Sequence, residues 1–310
     1  MANNLKIVAI ANPISGLHLA PLKWPRLLNY IGKKADDVIT WWTESPGHAE
    51  ILAARARREG YERVVIVGGD GTLFEVINGL WWEQKGKLPS IGAVPFGTGC
   101  DYVRNFNIGH NLFENTITAL GESVVPIDAG ICNLHSLDGK PQKRIFVNVL
   151  GFGFDGNVIE RFKRHRIKIK GKIPYLFSII KEIGNAKYYK LKGIINESYI
   201  KTDILFLVIG LGRYFGAGMM ITPNASPHAN RFQVVWSQEV KRMEVLALLS
   251  LVYFGKHIRF PKIHTRFAKE VQVNTDPSAY IEAEGELIGR TPIAVEIFPS
   301  AFNFAAIKTS

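Results

Sequence analysis

A chain of 310 residues with 38 Lys and Arg against 27 Asp and Glu carries a formal net charge of +11. The length suits one large or two ordinary domains, and a hydrophobic share of 47% is enough for a real core, which excludes disorder as the main state. Two cysteines, Cys100 and Cys132, exclude a disulfide scaffold and a Cys-rich zinc module.

From the N-terminus, short β-rich runs alternate with helical patterns, the signature of βαβ units around a parallel sheet. Strands are expected at Leu5–Ala11, Val38–Trp42, Arg63–Val67 and Ile91–Val94, with helices at Leu22–Ile31, His48–Glu59 and Thr72–Leu80 between them. In such sheets ligands bind beyond the carboxyl ends of the strands, so the loops beginning at Asn12, Thr43, Gly68 and Pro95 converge on one site. Past about Asp128 the pattern changes to strand-like pieces at Arg144–Val149, Thr202–Ile209, Phe232–Trp236, Glu270–Asn274 and Ala279–Ala283. Helices are expected there only at Ile173–Ile183 and Arg242–Phe254. The expected fold is α/β in two domains. Residues 1–128 form an α/β nucleotide-binding domain with a mainly parallel sheet, to which a segment of about 296–310 is free to return. Residues 129–295 form an antiparallel, β-sandwich-like domain.

The sharpest motif follows the third strand: Gly68-Gly69-Asp70-Gly71-Thr72, with Glu75 one turn into the next helix. Glycines let the backbone approach a phosphate, and the free amides of a helix start form an anion cradle. Asp70 does not attract phosphate; it suits holding Mg²⁺ against phosphates or accepting a proton from an attacking hydroxyl. A tight turn capped by Asp70 and Thr72 is the plainer reading of the same residues. The string is neither a Walker A loop nor the dinucleotide glycine pattern.

The Gly-Gly-Asp-Gly-Thr string resembles the nucleotide loop shared by diacylglycerol-type lipid kinases, sphingosine and ceramide kinases, NAD kinases and phosphofructokinases. Asn12-Pro13-Ile14-Ser15-Gly16 resembles the Asn-Pro-x-Ser-Gly phosphate loop of the diacylglycerol kinase catalytic family, and Thr43 stands where that family has a nucleotide-contacting threonine. Pro95-Phe96-Gly97-Thr98-Gly99-Cys100-Asp101 resembles its Pro-x-Gly-Thr-x-Asn-Asp loop, with Cys100 in place of Asn; a small buried thiol is expected there. Gly151 to Gly156, containing Asp155, resembles the start of the family's second domain, near the lipid headgroup, and Glu284-Gly285-Glu286 stands where the family has Asp-Gly-Glu. The resemblance runs from residue 5 to about 307.

What the resemblance implies is a compact bacterial lipid kinase that transfers the γ-phosphoryl of ATP, with Mg²⁺, to a hydroxyl of diacylglycerol or a related lipid. The nucleotide would be held by Asn12, Pro13, Ser15, Gly16, Thr43, Gly68, Gly69, Asp70, Gly71, Thr72, Glu75 and Thr98. Asp70 would carry the catalytic Mg²⁺ through the nucleotide. Asp101 and Asp155 would bind the lipid substrate, Glu286 would be the base, and Glu284 would assist. A secondary structural metal site, built in bacterial relatives around an Asp-Gly pair, is expected to be absent, because Ala229-Asn230 occupies that place. Two other readings remain. The departures at Cys100, Glu284 and Ala229-Asn230 suit a nucleotide-binding regulatory homologue without turnover; an NAD kinase is disfavoured by the Asn12 loop and by Glu284-Gly285-Glu286.

The positive charge concentrates in Arg161–Lys172, with seven Lys or Arg in twelve residues. An anionic membrane surface is the expected partner, since each basic residue near such a surface contributes roughly 1 kcal/mol. No nucleic-acid module is recognisable. The start of the chain shows no signal segment, and the longest apolar runs, 204–211 and 245–254, fall short of the ~20 residues of a spanning helix. A cytoplasmic protein, peripheral to the membrane, is therefore expected.

Overall fold

The computed structural model describes residues 5–32, 37–97, 99–106, 108, 111–164 and 187–306. The chain divides into two compact units, residues 1–127 with 300–310, and residues 128–299. Thr98, the helix expected at 173–183 and residues 165–172 of the basic run lie outside the described residues.

The first unit is built on parallel strands β1 (Ile7–Ala11), β2 (Ile39–Trp42), β3 (Arg63–Gly68) and β4 (Ser90–Pro95), in the order β2-β1-β3-β4. β1 and β3 are buried along their whole length, as unbroken runs of Val, Ile and Ala require in a sheet covered on both faces. Helices α1 (Ala20–Ile31), α2 (His48–Arg58), α3 (Asp70–Trp82) and α4 (Leu112–Leu120) follow the strands. From β1 the chain goes outward to β2 and then to β3 on the other side, so the order reverses between β1 and β3. Open α/β sheets bind their ligands at that place, outside the carboxyl ends of the strands. The buried guanidinium of Arg63 anchors the opposite end of β3, donating to the carbonyls of Ala119 at 2.8 Å and Gly121 at 2.9 Å at the end of α4. A cation there complements the negative end of the helix.

The second unit is mainly antiparallel. Its strands are β5 (Val124–His135), β6 (Pro141–Phe146), β7 (Val149–Gly153), β8 (Tyr189–Ile195), β9 (Ser198–Ile204), β10 (Phe206–Gly210), β11 (Phe232–Ser237), β12 (Ile263–Ala268), β13 (Glu270–Asp276), β14 (Tyr280–Ala283) and β15 (Glu286–Ala305). One run of pairing goes β12-β11-β10-β7-β14-β15, and β13 links β15 to the β8–β9 hairpin. β15 is twenty residues long; within the first unit, its Phe304 lies parallel to Ile91 of β4. Helix α5 (Phe154–Arg164) follows β7, and α6 (Arg242–Val252) packs Val245, Leu248 and Val252 into a core with Phe154, Val158, Leu205 and Val235.

Several expected spans change. Arg144–Val149 is two strands, because the backbone at 147–148 turns its amides to a carboxylate rather than to a neighbouring strand. Thr202–Ile209 is broken at Leu205, whose amide donates to the Ser237 hydroxyl. The third helix starts at Asp70 and ends at Trp82, beyond both ends of the expected Thr72–Leu80, and the helix expected to reach Phe254 ends at Val252. β5, β8, β12 and β15 had no counterpart among the expected strands, while β9 overlaps the expected Thr202–Ile209 only at its C-terminal end. The first two have polar or charged residues on an exposed face, so they lack the continuous apolar runs that marked β1 and β3.

Candidate functional site

In the first unit, the loops after β1, β3 and β4 are tied together at the switch point. The amide of Asn12 donates to the carbonyl of Val67 at 3.0 Å, and its side-chain Nδ2 reaches the Thr72 hydroxyl at 3.4 Å. Its Oδ1 accepts from the Ile14 amide at 3.1 Å, closing the turn that contains Pro13, and the Ser15 amide returns to the Asn12 carbonyl at 3.1 Å. Gly16 follows with φ +61°. The Gly68 carbonyl accepts the amides of Phe96 and Gly97 at 3.0 and 3.2 Å. That pairing draws the two glycine loops so close that a Cβ on Gly97 would lie 2.5 Å from the Gly69 Cα. Gly69 precedes α3 without offering any side-chain cap to the first amides of that helix, at Asp70, Gly71 and Thr72.

Asp70 ties the start of α3 to the loop after β4. Its Oδ2 accepts the Asp101 amide at 3.0 Å and its Oδ1 the Tyr102 amide at 3.1 Å. Burial raises its carboxyl from the ordinary value, against the lowering effect of those amides and of Arg104. Arg104 Nε lies 3.3 Å from Asp101 Oδ1, so one guanidinium serves the pair of neighbouring acids. Cys100 adopts φ +48°, a left-handed conformation that Asn tolerates far better than Cys. Its Sγ donates to the Gly97 carbonyl at 3.2 Å, and burial, followed by the Asp70 charge, pushes the thiol up. A thiol so disfavoured as thiolate is a packing group.

Two other residues of the expected nucleotide set are engaged with backbone at β1 and α2. The buried Thr43 donates its amide to the Ala11 carbonyl at 2.9 Å, which extends the β1–β2 pairing. Glu75 reaches across to α2, where Oε1 accepts the Gly47 amide at 2.9 Å and Oε2 the Ala49 amide at 3.1 Å. It serves as a remote cap for that helix.

In the second unit, the acids gather around Gly151 of β7. A Cβ at Gly151 would lie 3.0 Å from Asp155 Oδ2 and 3.1 Å from Glu282 Oε1, so only glycine lets both carboxyls face the strand. Asp155 stands in the first turn of α5; burial pushes its carboxyl up to about 7, and Oδ2 is buried without a hydrogen-bond partner. Burial and the Asp155 charge also raise Glu282 well above the carboxylate range, against one bond from the Gly285 amide at 2.9 Å. Glu284 and Gly285 have φ +53° and +80° between the paired Ala283 and Glu286, the two-residue turn that joins β14 to β15. The buried Glu284 places Oε1 where the amides of Val147 and Asn148 both donate to it, at 3.0 and 2.7 Å. Glu286 is half-buried at the first position of β15. Glu282 did not emerge from the sequence reading; its signal is the spacing of Glu282, Glu284 and Glu286 at every second residue.

Asp155 also borders a cavity walled by Phe154, Val158, Phe206, Phe215, Leu248 and Leu249, with His257 its other titratable group. At the place aligned with the Asp-Gly pair of bacterial relatives, Ala229 has no ligand atom. Asn230 takes φ +49° and donates its amide to Asp128 Oδ2 at 2.6 Å. Among the described residues, no group of three or more His, Cys, Asp or Glu is arranged to hold a metal ion, and no helix is long and apolar enough to cross a membrane.

A parallel sheet with glycine-built loops at its switch point, followed in one chain by a mainly antiparallel unit carrying buried acids, defines a two-domain α/β protein. Residues 6–132 match the diacylglycerol kinase catalytic domain, and residues 148–306 match the YegS C-terminal NAD kinase beta sandwich-like domain. The chain is 27% identical to YtlR of Bacillus subtilis over 311 residues, 97% of this chain and 98% of that one. It is 24% identical to the diacylglycerol kinase of Staphylococcus saprophyticus over 283 residues, 91% and 89% of the two chains. A crystal structure from Bacillus anthracis has the same fold, with a TM-score of 0.78 at 21% identity over 97% of both chains. The chain belongs to the diacylglycerol kinase catalytic-domain family.

Proposed function

We propose that the protein is an ATP-dependent lipid kinase that phosphorylates a hydroxyl of diacylglycerol or a related lipid. The observation that carries this reading is the pairing, in the second unit, of a buried acid, Asp155, with an apolar cavity: a hydroxyl-bearing headgroup suits the first and a hydrocarbon chain the second. In the first unit, the amides of Gly69 to Thr72 and the Asn12–Gly16 loop suit the phosphates of ATP, and the close approach of Gly69 to Gly97 supports that fit. Mg²⁺, when bound, supplies charge neutralisation on the phosphates, and Asp70 is the residue that would hold it.

In the transfer, the lipid hydroxyl oxygen forms a bond to the γ-phosphorus as the bond to the β–γ bridging oxygen breaks, ADP leaves, and the hydroxyl proton passes to the Glu286 carboxylate. Asp155 orients the hydroxyl end of the lipid, and Glu284 fixes the turn that carries Glu286. Catalysis of this kind rests on alignment and charge rather than on a covalent nucleophile. The engagement of both Asp70 oxygens with backbone amides favours one other reading, a nucleotide-binding homologue without turnover.

Incubation of the purified protein with labelled ATP, Mg²⁺ and mixed micelles separates the two. A kinase labels a lipid, and Asp70→Asn removes the label. Tight ATP binding with no lipid labelled across glycerolipids, sphingoid bases and ceramide leaves only the second reading.

A further inference from the structure

Helix α6 is apolar on two opposite faces. Val245, Leu248, Leu249 and Val252 turn inward onto the cavity. The other stripe, read at helical spacing from Met243 through Leu246 to the turn at Tyr253 and Phe254, is exposed: Met243 by 75%, Leu246 by 43%, Tyr253 by 43% and Phe254 by 73%. Scattered single apolar residues on a surface are ordinary, but a stripe along one helix is a partner's signature. Its surroundings are basic. Between 239 and 262 the chain has five Lys or Arg against two Glu, and one of those Glu, Glu244, is already paired with Lys262 at 2.8 Å. Lys241, Lys256 and Arg259 are exposed, and Lys256 Nζ lies 6.0 Å from the Phe254 ring centre.

We propose that the outer face of α6 and the turn at Tyr253–Phe254 dock on an anionic lipid bilayer, with Met243 and Phe254 entering the headgroup and acyl boundary and Lys241, Lys256 and Arg259 meeting the headgroup charge. Large exposed apolar residues framed by a basic rim are the form that enters such an interface. A protein partner of the usual kind would need acids opposite these lysines. A bilayer also suits the apolar cavity walled by the inner face of the same helix: the helix then stands between the lipid reservoir and a space that would receive a chain. The inference rests on the lipid-kinase reading for that last link, but the surface itself does not.

The test is co-sedimentation of the full chain with phosphatidylglycerol-containing phosphatidylcholine vesicles, without nucleotide. Wild type should bind, more weakly as salt rises and as phosphatidylglycerol is removed. The double substitution Met243→Ser, Phe254→Ser should weaken binding at least tenfold, and Lys256→Glu with Arg259→Glu should remove the salt dependence. Ile194→Ser with Tyr199→Ser, two exposed apolar residues of β8 and β9, should leave binding unchanged. Vesicle binding by the first double variant equal to wild type overturns the proposal. So does a loss of self-association in that variant with vesicle binding intact, which would make the stripe a contact between copies. Phosphorylation of a dispersed short-chain diacylglycerol is the separate arm. If no lipid is ever labelled but vesicles are bound through Met243 and Phe254, the kinase reading fails and the docking surface stands. If the enzyme is active, the variant should lower the ratio of vesicle-borne to short-chain turnover.

Discussion

The first unit makes its site from backbone and the second from side chains. Around the β1–β3 switch point the working groups are amides and carbonyls, held by Asn12, Asp70 and the contact between Gly69 and Gly97. Around Gly151 they are carboxyls brought from three places in the chain, at 155, 282 and 284–286. A backbone site is sensitive to anything that adds volume and indifferent to most changes of charge. A carboxyl site is the reverse, because buried acids answer to each other and to pH.

The largest effect should come from volume in the first unit. Gly97→Ala puts a methyl 2.5 Å from the Gly69 Cα, where backbone meets backbone and no side chain can give way. The loops must separate, and a misplacement of about 1 Å at a reacting group costs on the order of 10²-fold in rate. ATP affinity, measured by calorimetric titration, should fall with it. Retention of wild-type affinity would show that the glycine contact is packing alone.

Next comes the turn of the second unit. Glu284→Ala leaves the buried amides of Val147 and Asn148 without their carboxylate, at a cost of about 2–4 kcal/mol. Chemical denaturation should read this as a fall in stability with little change in ATP binding, because the lost bonds lie in the second unit.

The two kinds of site explain what was legible in the sequence. Gly68 to Thr72 and Asn12 to Gly16 are contiguous strings whose residue types are dictated by local backbone needs, so the first unit's strands and loops could be read from them. Glu75 shows the limit even there: its partners are amides at 47 and 49, which no local pattern reveals. In the second unit, Glu282 became part of the site only because Gly151 leaves room opposite it, a contact across 131 positions of sequence. The β5 and β8 strands were hidden for a related reason, since their exposed positions carry polar or charged residues while their inward faces pack against distant partners.

Acidity gives the third test. The folded carboxyl of Asp155, at about 7, lies above the unfolded value near 3.9, so the folded state holds this proton more tightly. Below about pH 4 both states are protonated and the group contributes no difference. As pH rises from there toward 7 the unfolded carboxyl ionises while the folded one keeps its proton, and stability falls by up to roughly 4 kcal/mol. Glu282 is raised in the same direction and faces Asp155, with Glu284 and Glu286 adding to the negative field. Asp155→Asn should therefore raise the melting temperature at pH 8, leave it nearly unchanged at pH 4, and reduce the slope between. A wild-type profile already flat over that range would place a counter-charge beside the acids and break the contrast with the first unit.

The smallest effect bears most directly on the backbone account. Cys100 sits at φ +48°, where a Cβ is strained against the backbone and Asn is accommodated best among side-chain-bearing residues. Cys100→Asn should stabilise the protein by about 0.5–1 kcal/mol, read as a rise of a few degrees in melting temperature. If residue 100 only shapes the loop that presents Gly97 and Asp101, turnover and ATP affinity should follow that stability and change by less than a few-fold. A rise in turnover above tenfold at unchanged ATP affinity would mean that an amide at this position touches the reacting groups. The first unit would then use side-chain chemistry as the second does.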